Sequence, residues 1–135
     1  MIDAQNSFIP RLLRQAAACA VAVVVLGFAA APAFAFSVAF SWCTGSPAFR
    51  LIDVPRGTTT LQFAMRDLDK PAFSHGGGTV GYRGQTEVPC DAFASGFIGP
   101  APPPGEVHTY EITVKAFATD GTLLAATTEQ RKFPE

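Results

Sequence analysis

Two aspartates, a histidine and three glycines are gathered between Asp67 and Gly78, in the run Asp-Leu-Asp-Lys-Pro-Ala-Phe-Ser-His-Gly-Gly-Gly. The only other histidine of the chain, His108, opens a later segment. Carboxylates and imidazoles exchange protons, ligate metals and orient charged ligands near neutral pH. Asp67 and Asp69 stand two apart, so they face the same way if the chain there is extended. The amides of Gly76, Gly77 and Gly78 can curl around an anion as a nest of donors. The bland alternative for the aspartates is a solvated strand end closed by Asx-turn hydrogen bonds, and for His108 a satisfied core group. We read Asp67, Asp69, His75 and His108 as lining one pocket, with His75, His108 and the glycine amides receiving a small anion.

Other chemistries fit these residues less well. A His-Gly-Gly-Gly string builds the oxyanion hole of some lipases, but that needs a Gly-x-Ser-x-Gly elbow on alternating strands and helices, and the chain has neither. Zinc or manganese accepts imidazole and carboxylate, yet no short-spaced ligand pair anchors a site, so no metal and no cofactor is expected. A nucleophile is not evident. The expectation is therefore a binding protein without catalytic residues. The alternatives are a protein-partner module, such as an inhibitor, and a metal-assisted or acid/base hydrolase built on the same four residues.

The elements that must position these groups read as strands. Leu61, Phe63 and Met65 alternate with Gln62, Ala64 and Arg66, the period of a half-buried strand leading into Asp67. Pro71 and the glycines should then interrupt regular structure, with one short strand over 79–82. His108, Tyr110, Ile112, Val114 and Ala116 share one face of the clearest strand, which places His108 inward. Asp120-Gly121 is a hairpin signal, and residues 122–132 should return antiparallel. Further strands are expected over 36–42 and 48–54. Residues 83–97 read as an irregular loop, and the Gly99–Gly105 proline run as a rigid wall of the pocket. Strands at short spacing, with no helical period after the N-terminal segment, imply an all-β antiparallel sandwich.

That N-terminal segment has the form of an export signal. Arg11 and Arg14 precede an apolar run from Ala16 to Ala31, then Ala33-Phe34-Ala35 supplies a small-x-small cleavage pattern, so residues 1–35 are expected to be removed before Phe36. A retained membrane anchor is the competing reading. The domain is then 36–135, in the periplasm or secreted. It keeps 8 basic and 10 acidic side chains, a net charge of −2 once Arg11, Arg14 and Asp3 leave. Without a basic cluster it lacks the electrostatic footprint of nucleic-acid binding. Export leaves Cys43 and Cys90 as two cysteines in an oxidising compartment, and a disulfide between them is expected rather than two free thiols.

The ordered motifs resemble the phosphatidylethanolamine-binding proteins, which include the Raf kinase inhibitor proteins and similar bacterial proteins. That family carries Asp-Pro-Asp-x-Pro after a core strand, here Asp67-Leu68-Asp69-Lys70-Pro71, and a Gly-Pro-x-Pro-Pro-Gly segment leading to His-Arg-Tyr, here Gly99 to Gly105 and then His108-Thr109-Tyr110. Ser46-Pro47 and Val54-Pro55-Arg56-Gly57-Thr58 are similar to two further elements in the same order. The match spans roughly 46–120. It implies an antiparallel β fold and an anion pocket at Asp67, Asp69, Pro71, His75, His108 and Tyr110, open to a phosphate ester or a membrane-lipid head group. A homodimer is left open. Leu68 and Thr109 depart from the motif, and the segment after His75 is short, which implies a shallower or more open site.

Overall fold

Two antiparallel sheets and no helix make up the residues described, 35–93 and 95–135, in the computed structural model. The expected leader, 1–35, lies almost wholly outside them. The strands are β1 Ser37–Ser41, β2 Ala48–Ile52, β3 Thr60–Asp67, β4 Ser74–Gly81, β5 Glu87–Val88, β6 His108–Phe117 and β7 Leu123–Phe133. β1, β2 and β5 form a three-stranded sheet in that order, and the four-stranded sheet runs β4-β3-β6-β7. The expected all-β antiparallel sandwich is the observed architecture.

Alternation decides which face goes inward. Leu61, Phe63 and Met65 of β3 are buried, as are Tyr110, Ile112, Val114 and Ala116 of β6, and they meet Val38, Phe40, Phe49 and Leu51 from the small sheet. Phe49, Phe63 and Phe93 form the aromatic centre, with ring centroids 4.5 to 6.0 Å apart. On the outward face of β3 and β6, Arg66 and Gln130 both reach the Glu111 carboxylate, at 3.2 and 2.9 Å. The hairpin at Asp120-Gly121 closes as expected. Gly121 takes a φ of 84°, and the Asp120 carboxylate accepts the Thr122 amide at 2.9 Å.

One corner of the sandwich is closed by Trp42. Its indole N–H donates to the Lys132 carbonyl at 2.8 Å, and its ring stands edge-on to Phe40, Tyr110 and Phe133. Beside it the expected disulfide joins Cys43 to Cys90 across a Cα separation of 5.9 Å. Beyond Cys90, Phe93 enters the core and Phe97 bridges to Gly76.

The structure departs from expectation after Asp67. Regular structure does not stop at the glycines, because Ser74–Gly81 is an eight-residue strand pairing with β3. The expected short strand over 79–82 is only the end of it. Each glycine admits a close neighbour. A Cβ on Gly76 would lie 1.8 Å from the Gly96 carbonyl oxygen, one on Gly77 1.9 Å from that of Phe63, and one on Gly78 2.4 Å from the Phe93 ring. The segment 83–97 likewise is not wholly irregular, since Glu87–Val88 adds β5 against β2.

Candidate functional site

Three strand ends meet at one pole of the four-stranded sheet. β3 ends at Asp67, β6 begins at His108 beside it, and β4 brings His75 from the other side. Asp67 is 3%, His75 3% and His108 4% exposed, so all three polar groups are buried and need partners.

Asp67 finds several. Its Oδ1 accepts the Asp69 and Lys70 amides at 2.8 and 3.1 Å, an Asx turn that ends the strand. Its Oδ2 lies 2.6 Å from His108 Nδ1. Burial alone would push this carboxyl up, but the bonds from His108, Asp69 and Lys70 together with the His108 charge hold it below the ordinary carboxylate range. The other His108 nitrogen, Nε2, is 2.9 Å from Glu106 Oε2. Ionised carboxylates only accept, so a ring with one on each side is satisfied as imidazolium. The Asp67 bond first and the Glu106 bond second raise the pKa of His108 against the opposing effect of burial.

His75 is held differently. Its Nδ1 is 2.9 Å from the Ile98 carbonyl, while the Ile98 amide donates to the His75 carbonyl at 2.8 Å. A carbonyl cannot donate, so Nδ1 carries the hydrogen and Nε2 is left for the cavity. Tyr110 lies between the two imidazoles, its ring 5.3 Å from that of His75 and 6.3 Å from that of His108. Tyr110 is fully buried, and among the described residues its hydroxyl makes no hydrogen bond of good geometry, although Asp67 and the Ala101 backbone lie beside it. Burial, and then the Asp67 charge, push the phenol up.

Asp67, His75 and His108 line one cavity of about 310 Å³, closed by Lys70, Phe73, Ile98, Ala101 and Pro103. The two histidines and Asp67 therefore do converge, and the proline run is a wall of the cavity. Asp69 does not line it. β3 has ended, Asp69 is exposed, and its Oδ2 instead accepts the Thr109 amide at 2.7 Å. Pro71, exposed in the turn, and Tyr110, fully buried in the core, are also outside the lining. Gly76, Gly77 and Gly78 line a separate hollow of about 410 Å³ with Gln62 and Ala64. The Gly77 amide is bonded to the Gly96 carbonyl at 3.2 Å, so the expected nest of glycine amides is replaced by strand pairing. A larger hollow of about 480 Å³ over the small sheet holds Arg50, Glu87 and Arg131 but no imidazole; Arg131 there is already bonded to Glu135 and to the Phe40 carbonyl.

Asp67, Asp69 and His108 offer one donor atom each within 4.8 Å of one another. The 2.6 Å between Asp67 Oδ2 and His108 Nδ1 is a hydrogen-bond length. Two donors on a shared zinc ion, each about 2.0–2.2 Å from it, stand roughly 3 Å apart or more. The trio is accordingly built as a proton-sharing cluster, and no metal chemistry is derived from it.

Sequence reasoning missed Glu106, Lys70, Phe73 and Ile98. Glu106 had a usable signal, since it precedes His108 by two in a segment leading into a strand and so shares its face. No protein-family model matches the chain, and a search of curated proteins finds no match either. The fold and site define an antiparallel β-sandwich with an open cavity at one pole, its floor formed by buried Asp67, His75 and His108. Its disulfide is compatible with an extracellular, oxidising location.

Proposed function

We propose that this chain is an exported, non-catalytic binding protein for a small ligand that carries an anionic group, such as a phosphate ester. The observation that carries the reading is the convergence of His75 from β4 and His108 from β6 on one 310 Å³ cavity. The resemblance of Asp67 to Pro71 and of Gly99 to Tyr110 to the phosphatidylethanolamine-binding proteins supports the same reading. His108 donates both ring hydrogens to carboxylates, so the anion falls to Lys70 and to His75 Nε2. Phe73, Ile98, Ala101 and Pro103 then hold the ligand's carbon portion. Among the described residues, no serine, threonine or cysteine lines the cavity to serve as a nucleophile.

Calorimetry with inorganic phosphate and with phosphoethanolamine tests this. His75 already gives its Nδ1 hydrogen to the Ile98 carbonyl, so it can donate to an anion only through a hydrogen on Nε2. Lys70→Ala and His75→Ala should each weaken binding by about tenfold or more, the loss of one charge-assisted hydrogen bond. Binding that is undiminished in the double variant ends the proposal.

A further inference from the structure

Among the described residues, His108 is the imidazole with a carboxylate on each ring nitrogen, Asp67 at 2.6 Å and Glu106 at 2.9 Å. The two carboxylates belong to different parts of the site. Asp67 is buried at the end of β3, whereas Glu106 is half exposed, at 53%, and ends the proline segment whose Ala101 and Pro103 wall the cavity. The Glu106 amide donates to the Pro103 carbonyl at 3.0 Å, so residue 106 closes the turn at the end of that segment. Other titratable or charged groups surround the ring without bonding to it. They are Asp69 and Lys70 from the turn after β3, His75 from β4 and Tyr110 on β6; on β7, Arg131 and Lys132 pair in backbone register with Tyr110 and Thr109, and Arg131 is bonded to Glu135 and the Phe40 carbonyl. Phe133 is the residue opposite His108 itself.

We propose that His108 is a proton-operated latch on the cavity wall: as imidazolium it clasps Glu106 and holds the proline segment against the site, and loss of the Nε2 proton to solvent releases that wall. The shorter, buried bond to Asp67 keeps the hydrogen on Nδ1, so Nε2 is the nitrogen that deprotonates. Its lone pair then faces the Glu106 carboxylate and repels it. The raised pKa of His108 puts this release on the alkaline side of the ordinary imidazole range. The latch is a regulation of the site proposed above, and its structural part holds whether or not that site takes an anion.

The test follows the His108 ring nitrogens and the residue-106 amide by NMR across pH, in the full domain and in Glu106→Gln and Glu106→Ala, with inorganic phosphate titrated in parallel. The ring should stay protonated on both nitrogens past the point where free imidazole is half titrated. Protection of the residue-106 amide, corrected for intrinsic exchange, should then fall about tenfold as the ring titrates, the worth of one charge-assisted hydrogen bond. Glu106→Gln should move the ring's midpoint down, and Glu106→Ala should leave the amide unprotected at every pH. A singly protonated ring at acid pH, a midpoint unmoved in Glu106→Gln, or protection that ignores the ring would each overturn the latch. Phosphate release that does not quicken across the same midpoint overturns its hold on the cavity. Absence of phosphate binding at any pH sinks the proposed ligand, while the ring and amide readouts still decide the latch.

Discussion

Opening the Cys43–Cys90 bond should cost this domain a large share of its stability. The cross-link spans 47 residues of sequence, and on the chain-entropy account closing a loop of that length removes about 4 kcal/mol of freedom from the unfolded chain. Domains of this size are stable by about 5–15 kcal/mol in all, so the reduced protein stays folded with little margin. At a urea slope of about 1.5 kcal/mol/M, the midpoint should drop by about 2.5–3 M. Trp42 is the single tryptophan, adjoins Cys43 and packs edge-on against Tyr110 and Phe133, so its fluorescence reports loss of the sandwich. Urea titrations of oxidised protein, reduced protein and the Cys43→Ser/Cys90→Ser variant should separate the first from the other two. The slope should also rise in the latter pair, because their unfolded chain is less compact. Under native conditions the amides of Gly77 and Ile98, bonded to the Gly96 and His75 carbonyls, should keep their chemical shifts after reduction. A stability loss below about 1 kcal/mol with unchanged slope, or displaced native signals at those two amides, would refute the unfolded-state account.

Three further outcomes test the packing and the charge network. Phe63→Ala should destabilise by about 3–5 kcal/mol, because its ring is 2% exposed and touches Phe49 and Phe93; denaturant unfolding measures it. Gly77→Ala should cost about 1–3 kcal/mol or more, since the added Cβ meets a backbone oxygen, and a neutral result would show that β3 and β4 can part there. The Asp67–His108 pair should give stability two limbs in pH. Asp67, depressed in the fold, contributes above the ordinary carboxylate range and loses this as pH falls through its folded value; His108, raised in the fold, contributes below the ordinary imidazole range and loses this as pH rises through its folded value. Melting temperature against pH should flatten on both limbs in Asp67→Asn, and a profile identical to the parent's would remove the pair from the account.

Much of the sandwich was legible because period-two alternation is a local property. Leu61-Phe63-Met65 and Tyr110-Ile112-Val114 announce their inward faces without reference to anything distant, and the Asp120-Gly121 turn carries its own chemistry. The core of the site was legible for the same reason, with Asp67 ending one such strand and His108 opening another. Whether those two ends are neighbours depends on strand order, and the antiparallel pairing of β3 with β6 sets Asp67 opposite Tyr110, within reach of His108. Asp69 shows where local reading fails. Two residues beyond Asp67 it should face the same cavity, but the Asp67 side chain captures the Asp69 and Lys70 amides and bends the chain before the pleat can continue. A hydrogen bond from the first carboxylate therefore decides the direction of the second.

The glycines show the same limit more sharply. Three in succession are open both to a flexible anion-binding loop and to a strand crowded by its neighbours, and composition alone does not choose between them. What chooses lies elsewhere in the chain. Phe93 puts a ring where a side chain of Gly78 would stand, and the Gly96 carbonyl occupies that place at Gly76. Both belong to the segment that follows Cys90 in the chain, far from the glycines in sequence. Once it is a strand, the Gly77 amide is engaged with Gly96, and the His75 side chain turns to the opposite face, into the cavity. The cavity is therefore lined by side chains rather than by a nest of amides, so the binding proposed for it would be sensitive to protonation in a way that an amide nest would not be.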